Sequence, residues 1–218
     1  MMTVMHCRVR HFYFYVIETA KKMSHNTMRT TIMNRFFPIL IAVALGWSVQ
    51  AQTPYSLKVN KMTVDGTSSL HDWTSEITKV EWTGNFLITD SKIKEVKNVH
   101  VKIPVTSIKS TKGKMMDGKT YDAFIYEKNP TIAYKLTTIT ITDGNLKANG
   151  TLTMAGTTKP IELTVKGKVL ANGDIQITGS QKLNMRDYKM DPPTAMMGTI
   201  KVGEEVTVNF DLTLTPTK

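Results

Sequence analysis

Cysteine is almost absent from this 218-residue chain, whose one thiol, Cys7, lies well ahead of residue 52. From residue 52 onward there can be no disulfide, no thiolate metal site and no cysteine nucleophile. Histidine is nearly as scarce there, limited to His71 and His100, which excludes a three-histidine centre. Arginine in the same stretch is reduced to Arg186 among many lysines. Neither arginine forks nor a basic groove with stacking aromatics is visible, so no nucleic-acid partner is expected. Gly-x-Ser-x-Gly, phosphate-loop and dinucleotide fingerprints are also missing. No catalytic residue, no metal and no cofactor is therefore assigned.

Long apolar runs are missing too, with one exception. Met33-Asn34-Arg35 leads into residues 36–49, a mostly apolar stretch closed by Val49-Gln50-Ala51-Gln52. A spanning helix needs about 20 apolar residues. This shorter run, with small residues at the first and third places before the cut, reads as a signal peptide at 33–51, cleaved after Ala51. A periplasmic or secreted location is expected. Residues 1–32 hold five methionines and an unpatterned Phe12-Tyr13-Phe14-Tyr15 cluster. They read as a mis-assigned start or an extension removed with the signal, translation beginning at Met33 or Met28. The net charge of +10 divides evenly between residues 1–51 and the rest, so the mature domain, 52–218, is only mildly basic. Lysines at alternate strand positions suit a solvated outer face and protected sheet edges. They allow only weak, transient attraction to a membrane surface.

What is present is alternation. Tyr55, Leu57 and Val59 share one face, as do Val80, Trp82, Phe86 and Ile88 around Gly84. Val99, Val101, Ile103 and Val105 form another face. Ile132, Tyr134 and Leu136 then give way to Ile139 and Ile141 on the opposite parity, which predicts a bulge near Thr137-Thr138. Asp143-Gly144 and Asn172-Gly173 are two-residue hairpin signals. Residues 156–160 read as a turn, and Gly203-Glu204 as a turn or bulge before Val206, Val208 and Phe210. Between these stretches Met116, Tyr121, Phe124 and Ile125 recur at helical spacing, which predicts a short helix within 115–127, ended by Asn129-Pro130. About eight strands with one helical crossover and no βαβ repeat make an all-β fold, an antiparallel barrel or sandwich. An eight-stranded barrel holds side chains or one slim ligand.

Five stretches, in order, resemble one known family. They are Thr67-Ser68-Ser69-Leu70-His71-Asp72-Trp73, Val101-Lys102-Ile103-Pro104-Val105, Asn129-Pro130-Thr131-Ile132-Ala133-Tyr134, the hairpin from Gly150-Thr151-Leu152 through Met154-Ala155-Gly156 to Lys159-Pro160, and Asp187-Tyr188-Lys189-Met190-Asp191-Pro192-Pro193. Together they look like the YceI-like, polyisoprenoid-binding family, which often has His where this chain has Ala155. The resemblance spans residues 54–216. It implies an extended, lipocalin-like eight-stranded barrel, exported in bacteria, without a catalytic constellation. The ligand it implies is an isoprenoid quinone, a polyprenyl or fatty-acyl chain, or a similar lipid.

Trp73, Trp82, Phe86, Phe124, Tyr134 and Met154 are the expected ligand-lining residues, being large and placed on apolar parities or on the helix. Each buried methylene of a ligand contributes about 0.8 kcal/mol, so apolar walls suffice for affinity. The same side chains could simply fill a core. Met185, Met190, Met196 and Met197, with Met115 and Met116, suit either an adaptable mouth or packing under loops. His71-Asp72 lacks a third partner or nucleophile. Asp72 and the preceding serines are expected to bond local backbone, leaving Trp73 to anchor a strand. The leading reading is a non-catalytic carrier of an elongated apolar ligand, monomeric or homodimeric. The alternative is a surface interaction or adhesion module with a filled core and an exposed apolar patch. A hydrolase or metal enzyme built on His71 and Asp72 is the third.

Overall fold

The computed structural model describes residues 52–217. The expected extension at 1–32, the signal at 33–51 and the cut after Ala51 lie outside the described residues. Eight long strands form a wall: β1 (Thr53–Ser68), β3 (Glu81–Thr89), β4 (Lys92–Pro104), β6 (Thr131–Thr142), β7 (Asn145–Met154), β8 (Thr157–Val169), β9 (Ile175–Asn184) and β11 (Ile200–Pro216). They pair in the order β1, β3, β4, β6, β7, β8, β9, β11, and β11 pairs again with β1. The sheet thus closes into an eight-stranded antiparallel barrel, as expected. Three short strands extend the sheet: β2 (Trp73–Ile77) and β5 (Ile108–Ser110) continue it beyond β1, with the helix α1 (Lys114–Phe124) packed against β5, and β10 (Thr194–Ala195) pairs with β11.

Bulges decide which side chains point inward. On β1 the register slips between Leu57 and Val59, so Lys58 is the extra residue and parity reverses after it. Tyr55 faces in and Val59 turns out to solvent, against the expectation that the two share a face. On β6 the slip falls between Leu136 and Thr138, where the sequence predicts it. Asp143 and Gly144 have φ of 46° and 81° and join Thr142 to Asn145 in the expected tight turn.

Other turns differ from the sequence reading. Between β8 and β9, Leu170 N–H donates to Asp174 O at 2.8 Å and only Gly173 has positive φ. That loop spans three residues, because Asn172 spends its side chain accepting from Asp174 N. The turn expected at 156–160 is confined to Ala155 and Gly156, and Pro160 already lies inside β8. Gly203 sits in a bulge of β11, opposite the slip between Gly66 and Ser68. The helix ends at Phe124, short of 127, because Ile125 turns left-handed at φ 49° and Asn129 Nδ2 donates to the freed Phe124 carbonyl at 3.1 Å.

The two ends of the barrel are unlike. At one end Tyr55, Phe86, Ile93, Leu146, Ile175 and Leu214 pack into a floor. Phe86 is 1% exposed and meets Tyr55 edge-on with ring centroids 5.1 Å apart. A Cβ on Gly167 would lie 2.8 Å from Ile93 Cδ1 and 2.7 Å from Leu146 Cδ1, so a larger residue there would push these side-chain tips aside. At the other end Ile77, Ile103, Val105, Ile108, Phe124, Met154 and Tyr188 form a second cluster under α1. Burying each such side chain fully contributes about 1.5–3 kcal/mol. The closed hydrogen-bond ring and both clusters are built wholly from these residues. They lie within one compact unit, Gln50–Lys218.

Candidate ligand chamber

Between the two clusters the barrel encloses a chamber of about 430 Å³. That is within the range of small-molecule pockets, roughly 300–1,000 Å³. Its walls are almost wholly apolar. Val99, Val101, Ile132, Leu136, Leu152, Leu163, Val206 and Val208 contribute from the strands, and Met116, Ala123 and Phe124 from α1. Polar lining gathers at the open end, in Ser68, His71, Ser110, Lys112, Lys119 and Thr194.

All six expected residues border this one chamber. Trp82 and Phe86 come from β3, Tyr134 from β6, Met154 from the end of β7, and Phe124 closes α1 over the interior. Trp73 lies near the mouth, where its Nε1 donates to Thr67 O at 3.1 Å and anchors β2. Of the serines beside it, Ser68 bonds local backbone as expected, while Ser69 reaches across to β11. Ser68 Oγ donates to His71 O at 2.7 Å and accepts from His71 N at 3.2 Å, and Ser69 Oγ accepts from Lys201 N. Asp72 makes none of these bonds, contrary to expectation. Its carboxylate is exposed, and the serine hydroxyls have already satisfied the nearby backbone.

The lining also includes residues that the sequence reading passed over, Met62 and Val64 above all. They follow the Lys58 bulge, and the signal was a parity flip from Tyr55 and Leu57 to Met62 and Val64. The methionines divide. Met185 and Met190 are 6% and 3% exposed, belong to the upper cluster and border the chamber, whereas Met115, Met196 and Met197 project into solvent.

Two polar tips break the apolar lining. Trp82 Nε1 and Tyr134 Oη are buried and have no hydrogen-bond partner. Burial alone pushes the Tyr134 phenol up to about 12, since the phenolate would lose its hydration. Among the described residues no group of three or more His, Cys, Asp or Glu side chains could hold a metal ion.

The helix is fixed over the opening by several bonds. Asp117, 8% exposed, accepts from Ser110 N at 2.6 Å. Tyr121 Oη donates to Thr106 O at 3.0 Å and accepts from Lys109 Nζ at 2.6 Å. Beside the helix, the chamber is bordered by Ser68, Leu70 and His71 of the β1–β2 region, by Ser110 and Lys112, and by Pro193 and Thr194 ahead of β11.

A closed antiparallel barrel holding one apolar chamber under a single helix defines a lipocalin-like architecture. The YceI-like domain model matches residues 48–214, and the chain belongs to that family. Solved structures agree in fold. Burkholderia cenocepacia BcnA superposes with a TM-score of 0.60 at 16% identity, over 72% of this chain and 96% of its own. A polyisoprenoid binding domain from Saccharophagus degradans, implicated in plant cell wall breakdown, gives 0.59 at 14% identity, over 75% and 98%. The Campylobacter jejuni YCEI protein gives 0.53 at 21% identity, over 66% and 84%. Comparison with curated proteins gives no match.

Proposed function

We propose that this protein is an exported, non-catalytic binder that holds one elongated apolar lipid, of isoprenoid or similar chain type, inside the barrel. The observation that carries this reading is the apolar chamber of about 430 Å³, lined from both ends of the chain and open at one end. Apolar surface left facing an empty chamber forfeits roughly 25 cal/mol per Å² that a hydrocarbon guest would recover. The Saccharophagus degradans domain of the same fold, described as polyisoprenoid binding, supports the choice of guest. A filled interior, which a module working only by its surface would have, is not what the barrel contains. The guest is held for transport, storage or sequestration.

Purifying the protein without detergent, extracting it with organic solvent and analysing the extract by mass spectrometry tests the reading. A prenyl or acyl lipid near one per protein is expected. Repeated recovery of none, from protein shown to be folded, defeats it. Sequencing the N-terminus of the native protein tests export, with Gln52 expected as the first residue.

A further inference from the structure

Large exposed apolar side chains are not scattered over this barrel. Leu70, Met115, Met196 and Met197 are 66%, 83%, 74% and 108% exposed, and they stand on the segments that frame the mouth. Leu70 itself borders the chamber, between Ser68 and His71. Met115 precedes Met116, which lines the chamber from α1. Met196 and Met197 fall between Thr194 and Ile200, both of which line it. Ile125 and Tyr126 follow the same helix, and of the large exposed apolar side chains only Val59 belongs to the barrel wall. Met196 and Met197 also have φ of 49° and 54°, a left-handed backbone uncommon for residues with a side chain.

Charge accompanies this rim. Lys112, Lys114, Lys119 and Lys201 are exposed and take part in none of the ion pairs among the described residues. Of the acidic groups nearby, Asp117 is engaged by Ser110 and Lys109, and Asp191 by Arg186, while Asp72 of the β1–β2 loop, Asp122 of the helix and Glu127 beyond it are exposed. Four separate apolar tips ringed by free lysines match the two layers of an anionic bilayer surface. Phosphates would meet the ammonium groups, and the acyl boundary would receive the thioethers and Leu70.

The geometry points to the mouth rim as a docking surface for an anionic lipid bilayer, with the barrel standing mouth-down on it. This inference rests on the lipid-chamber reading and extends it. A mouth pressed onto acyl chains lets a hydrocarbon guest pass between bilayer and barrel without crossing water, whose cost is about 0.8 kcal/mol per methylene. Flexible methionines at the contact suit a fluid, irregular partner.

The test uses the native protein, purified without detergent, and vesicles of equal parts phosphatidylglycerol and phosphatidylcholine. Co-sedimentation is expected, with a loss of roughly tenfold or more in Met115→Ser/Met196→Ser/Met197→Ser, and weak binding to pure phosphatidylcholine. Replacing Lys114 and Lys201 by Gln should lower binding at low salt and flatten its salt dependence. Both variants alter exposed positions, and unchanged thermal melts would certify their folds. Each should still take up NBD-labelled geranylgeraniol from detergent solution, while transfer of that probe from vesicles slows. Wild-type levels of vesicle binding in the serine variant would overturn the proposal. So would a dimer in sedimentation that dissolves on Met197→Ser, since a second copy would then own the rim. Vesicle binding without any probe uptake would instead sink the chamber reading and leave the docking surface standing.

Discussion

Trp82 and Tyr134 enter the chamber from the two strands that flank Val101, Trp82 paired to it from β3 and Tyr134 from β6. Neither polar tip has a partner. A buried donor left unpaired costs about 1–3 kcal/mol. Tyr134→Phe should therefore raise the unfolding free energy by about 1 kcal/mol in urea titrations. A loss of similar size would mean that the hydroxyl is bonded after all. The same variant should change the alkaline limb. Because the folded phenol is pushed up to about 12 and an unfolded one ionises near pH 10, the native state loses stability as pH rises from about 10 toward 12. In Tyr134→Phe that part of the loss should disappear.

Gly66 pairs with Trp73 across β1 and β2, and a Cβ placed there would overlap the indole. Gly66→Ala should destabilise the barrel by about 1–3 kcal/mol, the usual cost of overpacking. The indole should also be displaced from its bond to Thr67 O, seen as altered near-ultraviolet circular dichroism. An unchanged spectrum and melt would show that β2 can shift freely.

At the floor, Lys58 and Asp174 form an ion pair at 2.7 Å, the Asp174 side chain 5% exposed. The hydrogen bond from Lys58 is the main cause, with those from Thr215 and Asn172, that holds the Asp174 carboxyl below its ordinary range. A carboxyl depressed in the folded state contributes stability above its unfolded value, near pH 4. That contribution vanishes as pH falls through the folded value. Asp174→Asn should thus melt lower than the wild type at pH 7, and the gap should close steadily as pH drops from about 5 to 2. A gap independent of pH would assign the effect to packing.

Val101 stands midway up the chamber wall, between the two unpaired tips. Val101→Phe should fill part of the space and keep the fold, at a stability cost of about 1–3 kcal/mol. Lipid recovered by solvent extraction should fall several-fold. Full recovery would place the guest elsewhere than between Trp82 and Tyr134.

Periodicity of two carried most of the barrel, because wherever one strand face is buried the parity of Val, Ile and Phe records it. It carried the Thr137 bulge for the same reason. It failed at Lys58, where Val59 continued the apolar series by one more residue and hid the flip, so Met62 and Val64 went unassigned. Turn chemistry was legible for Asp143-Gly144 but not for Asn172-Gly173, whose length depends on the Asn172 carbonyl capturing Asp174 N. The six large chamber residues were legible as inward-facing. That they frame a space rather than fill one was not, because emptiness depends on how opposite walls are held apart, which no local pattern encodes.

Pro160 lies on a stretch of β8 that has a partner on only one side. β8 pairs with β9 from Val165 to Val169 alone, and above that point the two strands part. The turn at Met185–Tyr188 packs against both strands, with Lys159 reaching Asp187 at 3.2 Å. Along this height the Met185–Tyr188 turn and the Lys159–Asp187 ion pair stand where a β8–β9 ladder would otherwise run. The upper wall on this side is therefore held by one turn and one ion pair, and its spacing depends on them rather than on strand register.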